Sequence, residues 1–380
     1  MKIDDKKSLK SPSLRFPEFT GEWEYFSIND VCSEFKSGKN IKADLISSNG
    51  NFPVYGGNGL RGYTSSYNHD GLYVLIGRQG ALCGNVRSVF GKIYITEHAI
   101  AVAGNEKSDT NFLHYLFLKM NLGQYSDQSA QPGLAVNKLL KLKVLLPSIS
   151  EQIKIAKLLS LLDERIAVQS RLIDRLQSLI KGINRTIFTG SGLEYSLCDV
   201  CEIRSGYSGN QLQGGKGLGV SRIETISAHN INLERIGYVA PFDASENYRL
   251  QVGDILFSNI NSVEYIGNTA FIDKDYNLYH GMNLLRLIPF RNVVVPFYLY
   301  ILLNTNRMLK HFKTICNKAV SQASINQKEL GKTIVMLPSL EKQKQVCNIY
   351  QAMYSKLKTE KDVLSFYQEQ KRYLLRHMFI

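Results

Sequence analysis

Residues 146–152 read LPSISEQ, and the motif returns as LPSLEKQ at 337–343, an offset of 191 in a chain of 380. A motif repeated half a chain apart constrains the fold more than local propensity does, because each half must build a similar unit around it. Other segments recur in the same order. EYFSINDVCSEFKSG (24–38) is answered by EYSLCDVCEIRSG (194–206), and GLYVLIGRQGALCGNV (71–86) by GDILFSNINSVEYIGNT (253–269). FLHYLFL (112–118) matches FYLYILL (297–303), and AVNKLLKLKVLLP (135–147) matches SINQKELGKTIVMLP (324–338). A duplicated unit of roughly 170–190 residues is far too long for a solenoid repeat. Two globular domains follow, the second carrying insertions.

The texture changes at the motif. Before it lie short β-like runs, YVLIG and KIYITEHAIAV, punctuated by glycine-rich turns such as VYGGNGLRGY (54–63). After it the pattern is helical. Ser148 reads as an N-cap and Glu151 as the partner that completes a capping box. In the second copy Lys342 takes that place, leaving Glu341 to favour the helix start through the dipole.

The first helix carries a seam at alternating spacings of four and three: Ile155, Leu159, Leu162, Ile166, Gln169, Ile173, Leu176, Ile180, Ile183 and Ile187. The second repeats it at Val346, Tyr350, Met353, Leu357, Glu360, Leu364, Tyr367, Lys371, Leu374 and Met378. Seams of this length predict a two-helix coiled coil, each helix covering the other's apolar stripe. Each spans roughly 48 Å at 1.5 Å per residue. The chain order of globule, helix, globule, helix predicts antiparallel helices with a globule at each end, a dumbbell with Gln169 and Glu360 as a polar layer near its middle. The expected fold class is α+β: two mixed α/β domains joined by two long antiparallel helices. The expected boundaries are a tail at 1–22, domains at 23–147 and 189–338, and helices at 148–188 and 339–380.

Formal net charge is +13, a surplus that favours a polyanionic partner, with nucleic acid foremost. The N-terminal residues include early acids and no apolar core, so no signal peptide is expected. The most apolar run, VVVPFYLYILL at 293–303, is too short for a bilayer and contains Pro296. Six cysteines in this length fit a reducing compartment, so a cytoplasmic protein is expected.

LRFPEFTGEWE (14–24), SAQPGLAVNKL (129–139) and LPSISEQIKIAKLLSLLDERI (146–166) resemble the specificity subunit of Type I restriction-modification systems. The likeness covers nearly the whole chain; the second helix departs from it at NIYQAMYSKL (348–357). It implies two target-recognition domains, each reading one part of a split sequence in double-stranded DNA, held apart by antiparallel spacer helices. It implies docking of two methyltransferase (M) subunits and, in the full complex, restriction (R) subunits. S-adenosylmethionine, ATP and Mg would belong to those partners, with no cofactor in this chain.

The residues agree with a reader that does no chemistry itself. No phosphate-binding loop of the G-x-x-x-x-G-K-[ST] type occurs, and GGKGLG (214–219) reads as a flexible loop. The Asn-Pro-Pro-aromatic motif of amino-methyltransferases is missing. Cys198 and Cys201 form a lone C-x-x-C, too few ligands for zinc, and read as buried structural cysteines. Glu97–His98 and His280 fall at corresponding places and read as satisfied core or hinge residues.

Candidates for reading bases are polar side chains on glycine-flanked loops, since Arg pairs with guanine and Asn or Gln with adenine. They are Asn58, Arg61, Tyr63, Arg78 and Gln79 in the first domain, and Tyr207, Asn210, Gln211, Ser258, Asn259 and Asn261 in the second. Lys39, Lys216 and Arg222 are expected on phosphates, which position without specifying. Two rivals stand beside this reading: an autonomous DNA methyltransferase or nuclease, and a basic coiled-coil scaffold for RNA.

Overall fold

The computed structural model describes residues 11–126, 133–187, 192–213, 215–226, 230–318 and 322–380, apart from the side chains of 184–187. The start of the expected tail, residues 129–132 of SAQPGLAVNKL, Gly214 and the Ile187 side chain lie outside them. The chain forms two compact units, one of residues 1–171 with 360–380 and the other of 172–359. Both mix helix and sheet. Among the described residues no helix is long and apolar enough to cross a membrane.

In the first unit a six-stranded sheet runs in the order Cys32–Ser37, Ala99–Gly104, His69–Gly77, Val86–Ile95, Phe52–Gly56 and Gly59–Thr64. Val86–Ile95 pairs antiparallel with His69–Gly77 and, near its end, parallel with Phe52–Gly56. The helix Thr110–Met120 packs on this sheet through Phe112, Leu113, Leu116 and Phe117. Asp109 caps it by accepting from the Phe112 amide at 2.8 Å. In the second unit the main sheet has four strands, ordered Cys201–Ser205, Leu285–Pro289, Ile255–Phe257 and Thr269–Phe271.

Each unit closes in the same way. Glu24–Ser27 pairs antiparallel with Lys143–Leu146, and Leu193–Ser196 pairs with Ile334–Leu337. The second strand of each pair leads through a proline into a long helix, Ile149–Ile187 or Leu340–His377. The hinge glutamines then make matching bonds. Gln152 accepts from the Asp109 amide at 3.0 Å and donates to the Lys107 and Pro147 carbonyls, both at 2.9 Å. Gln343 accepts from the Val295 amide at 2.9 Å and donates to the Val293 and Pro338 carbonyls at 3.3 and 2.9 Å. Both side chains are fully buried. Each ties a hinge to the residue just before a helix of its own unit, Asp109 before Thr110–Met120 and Val295 before Pro296–Leu303.

The capping box expected at Ser148 does not form. Both Glu151 oxygens are taken by Arg15, at 2.7 Å each, and the Ser148 hydroxyl lies 3.1 Å from Ser150. A buried carboxylate offered a guanidinium fork gains two charge-assisted bonds there, against one weaker bond at the cap.

Seam positions are buried or half-buried along both helices wherever side chains are described. In the first unit Ile155 and Leu159 join the core that also takes Met378 and Phe379, and Phe379 stacks on Phe112 at 5.2 Å. Gln169 donates to the backbone carbonyl of Glu360 at 2.9 Å and to its carboxylate. Asp163 accepts from Lys371 and, at 2.9 Å, from the Tyr115 hydroxyl.

Candidate nucleic-acid interface

In the first unit three turns converge. Arg78 donates its amide to the His98 carbonyl at 2.9 Å, and Gln79 meets the His98 ring at 3.3 Å. Gly57 lies between them: a Cβ there would collide with the His98 carbonyl and lie in contact with Gly77. Only glycine lets those backbones come so close. Lys39 joins the group through its amide bond to the Ile95 carbonyl, 3.0 Å. Asn58, Gln79 and Lys39 are exposed, and Arg78 is half-buried.

Two further arginine side chains lie over the turn at 56–59, Arg61 by its aliphatic stem and Arg87 by its guanidinium. Arg61 folds across Gly56, and Arg87 crosses Gly59, whose φ of +103° also demands glycine. Nothing in the sequence marks out Arg87, because it falls inside the strand Val86–Ile95, where alternation simply marks an outward residue. Arg15, Arg204, Arg249 and Arg286 are hydrogen-bonded to carboxylates. Arg61, Arg78 and Arg87 have no such side-chain partner among the described residues. Unpaired guanidiniums on a tight, glycine-lined surface keep five donors each for a phosphate or a guanine edge.

Tyr63 is not part of this cluster; its backbone pairs with Ser47 further along the hairpin. His98 is half-exposed and pairs with Glu97 at 3.1 Å, so of the two places expected, core or hinge, it is not in the core but in a surface turn. His280 is buried and bonds the Leu284 carbonyl at 3.0 Å; burial holds its pKa down at about 4, so it is neutral.

The second unit gathers fewer of its candidates. Gln211 and Arg222 both pack over Gly237, where a Cβ would meet the Gln211 amide. Asn210, Gln211, Lys216 and Arg222 are exposed, and Arg222 is only loosely paired with Glu224 at 3.9 Å. Tyr207 stacks its ring on Phe242 at 3.6 Å, so that face is already covered.

The SNIN set serves the fold. Ser258 is fully buried and accepts from Asn261 at 3.0 Å, and the Asn259 amide donates to the Ile325 carbonyl at 3.4 Å. A buried hydroxyl cannot reach a base edge, and these side chains instead fix the segment after Ile255–Phe257. Of the cysteine pair, Cys201 is buried, its thiol pushed up to about 12, whereas Cys198 is exposed, contrary to expectation.

The Type I restriction modification DNA specificity domain matches the chain twice, over residues 20–178 and 193–365. The Type I restriction enzyme EcoprrI specificity subunit of Escherichia coli is 45% identical over 154 residues, 40% of this chain and 38% of that protein. A protein of Methanocaldococcus jannaschii named for the type I restriction enzyme MjaX specificity subunit is 38% identical over 187 residues, 48% of this chain and 44% of the relative. The matches thus span less than half the length of these curated relatives. A crystal structure of a Type I restriction-modification system S subunit from M. genitalium has a TM-score of 0.70 at 18% identity, covering 97% of this chain and 99% of that one. The likeness is one of fold.

Proposed function

The chain belongs to the family of Type I restriction modification DNA specificity proteins, and we propose that it is the sequence-reading subunit of such a complex. One observation carries the reading: two specificity domains in one chain, the first with three arginines free of carboxylate partners around its glycine-lined turns. On this reading each domain reads one part of a split duplex target. The polar candidates of the second, Asn210, Gln211, Lys216 and Arg222, lie on exposed loops in keeping with it.

The long helices act as a spacer, an antiparallel pair that keeps the two readers apart like the ends of a dumbbell. Bonds within the first unit support the antiparallel pairing, since the partner number rises from 360 to 371 as the residue number falls from 169 to 163. The chain docks methyltransferase subunits and works with restriction subunits in the cytoplasm. Methylation, cleavage and the S-adenosylmethionine, ATP and Mg they use reside in those partners.

The direct test is biochemical. Purified alone with S-adenosylmethionine, the chain is expected neither to methylate nor to cut duplex DNA, and to direct methylation of one bipartite sequence once a methyltransferase subunit is added. Methylation by the isolated chain sinks the reading.

Two variants probe its parts. Arg61→Ala with Arg87→Ala should lower DNA affinity and flatten the plot of log affinity against log salt by about one to two counterions, read by fluorescence anisotropy. An unchanged slope and affinity would remove both residues from the interface. One heptad added to both helices should lengthen the unread gap by about three base pairs, since seven residues rise roughly 10 Å. The gap is read from the methylated sites, and an unaltered gap defeats the spacer role.

A further inference from the structure

The two hinges carry matching grooves with different walls. At the first hinge a groove of about 580 Å³ runs beside Pro147 and Glu151, and its far wall is the chain's own arm, residues 15–22. Arg15 fastens that arm to Glu151 through two bonds, and Lys154 adds an ion pair to Glu18 while lying 4.5 Å over the Phe16 ring.

At the second hinge a groove of about 670 Å³ runs beside Pro338 and Lys342. Its floor repeats the first. Val293 stands where Lys107 does, each giving its carbonyl to the hinge glutamine. Leu193 stands where Glu24 does, each opposite the last leucine before the proline. No arm lines this groove among the described residues, and Leu193 is 69% exposed. The charge is also inverted: Lys342 takes the place of Glu151 and has no carboxylate partner among the described residues.

We propose that this second groove seats an extended acidic segment of a partner protein, the methyltransferase subunit, which supplies in trans the wall that residues 15–22 supply at the first hinge. The proposal rests on the functional reading above. Charge selects the occupant. A carboxylate is attracted to Lys342, whereas the arm of a second copy of this chain would bring Arg15 against it. An exposed ion pair gives orientation more than affinity, so burial of Leu193 and Tyr195 under the incoming segment supplies the remainder.

The test uses the full chain co-expressed with its methyltransferase subunit, with a benzophenone amino acid in place of Leu193. Irradiation is expected to yield an adduct with the methyltransferase, mapping to a peptide that contains Asp or Glu. The same probe at Leu233, 49% exposed elsewhere in the second unit, should yield none. Lys342→Glu should cut the adduct about tenfold, and Lys344→Glu should leave it unchanged. If the complex assembles normally and the probe at 193 gives no methyltransferase adduct, or one indifferent to Lys342→Glu, the groove assignment falls while the DNA-reading function stands. An adduct solely with a second copy of this chain overturns the assignment as well. Failure of the unaltered chain to bind any methyltransferase overturns the functional reading and the groove with it.

Discussion

Gln152→Leu is expected to destabilise the first unit by about 3–5 kcal/mol, because leucine fills the same space and leaves three partners unsatisfied, at roughly 1–3 kcal/mol for each one that stays dry. The partners are the Asp109 amide and the carbonyls of Lys107 and Pro147. The damage is predicted to spread from the hinge into the helix Thr110–Met120, since Asp109 is its N-cap. Gln343→Leu should act likewise on the second unit, with a slightly smaller loss because its bond to Val293 is longer, 3.3 Å. Urea unfolding gives the magnitude, and faster amide exchange at 110–113 in the Gln152 variant gives the location. A loss below about 1 kcal/mol would mean that water reaches all three groups and the bonds matter little.

Arg286→Met should cost the second unit about 3–5 kcal/mol, the usual penalty for stranding one member of a buried ion pair. Arg286 and Asp254 meet at 2.6 Å, with side chains 5% and 4% exposed. Burial pushes the Asp254 carboxyl above its ordinary value even with the guanidinium beside it. Desolvation therefore outweighs pairing, and the pair is a poor stabiliser compared with neutral groups of the same shape. Asp254→Asn added to Arg286→Met should recover all but about 1–2 kcal/mol, since asparagine can still accept from the Gln251 amide.

The pH dependence has a definite sign. A raised folded pKa means that the protonated carboxyl suits the fold, so stability falls as pH rises through that value. The Arg286→Met deficit should accordingly shrink in acid and grow toward neutrality, measured by urea midpoints across pH. A deficit that does not vary with pH would show that lost packing, and not an unpaired charge, causes it.

Much of the architecture is legible in the sequence. Repeated order along the chain is a one-dimensional property, so EYFSINDVC against EYSLCDVC and LPSISEQ against LPSLEKQ were enough to reveal two copies of one family domain. The candidate site was legible only in part. Glycine-flanked polar loops in the first unit do converge, because VYGGNGLRGY and IGRQGA carry glycines at points where backbones touch. SNIN has the same polar composition, yet its side chains turn inward to bond Ile325 and each other. Composition cannot tell a loop that offers its amides to a ligand from one that spends them on its own fold.

The sequence by itself determined the duplication, which is a likeness of order along the chain, and also the change from strand to helix at each proline and the spacing of the two apolar seams, both set by residues near one another. The tertiary structure decided which distant groups meet. It gave Glu151 to Arg15 instead of to a helix cap, gave each hinge glutamine to the residue just before a helix about 45 residues earlier in the chain, and laid Arg87 over Gly59. Those pairings depend on how the sheets curl and where chain ends return. Neither periodicity nor spacing records such geometry, because a hydrogen bond across 136 residues leaves no local pattern.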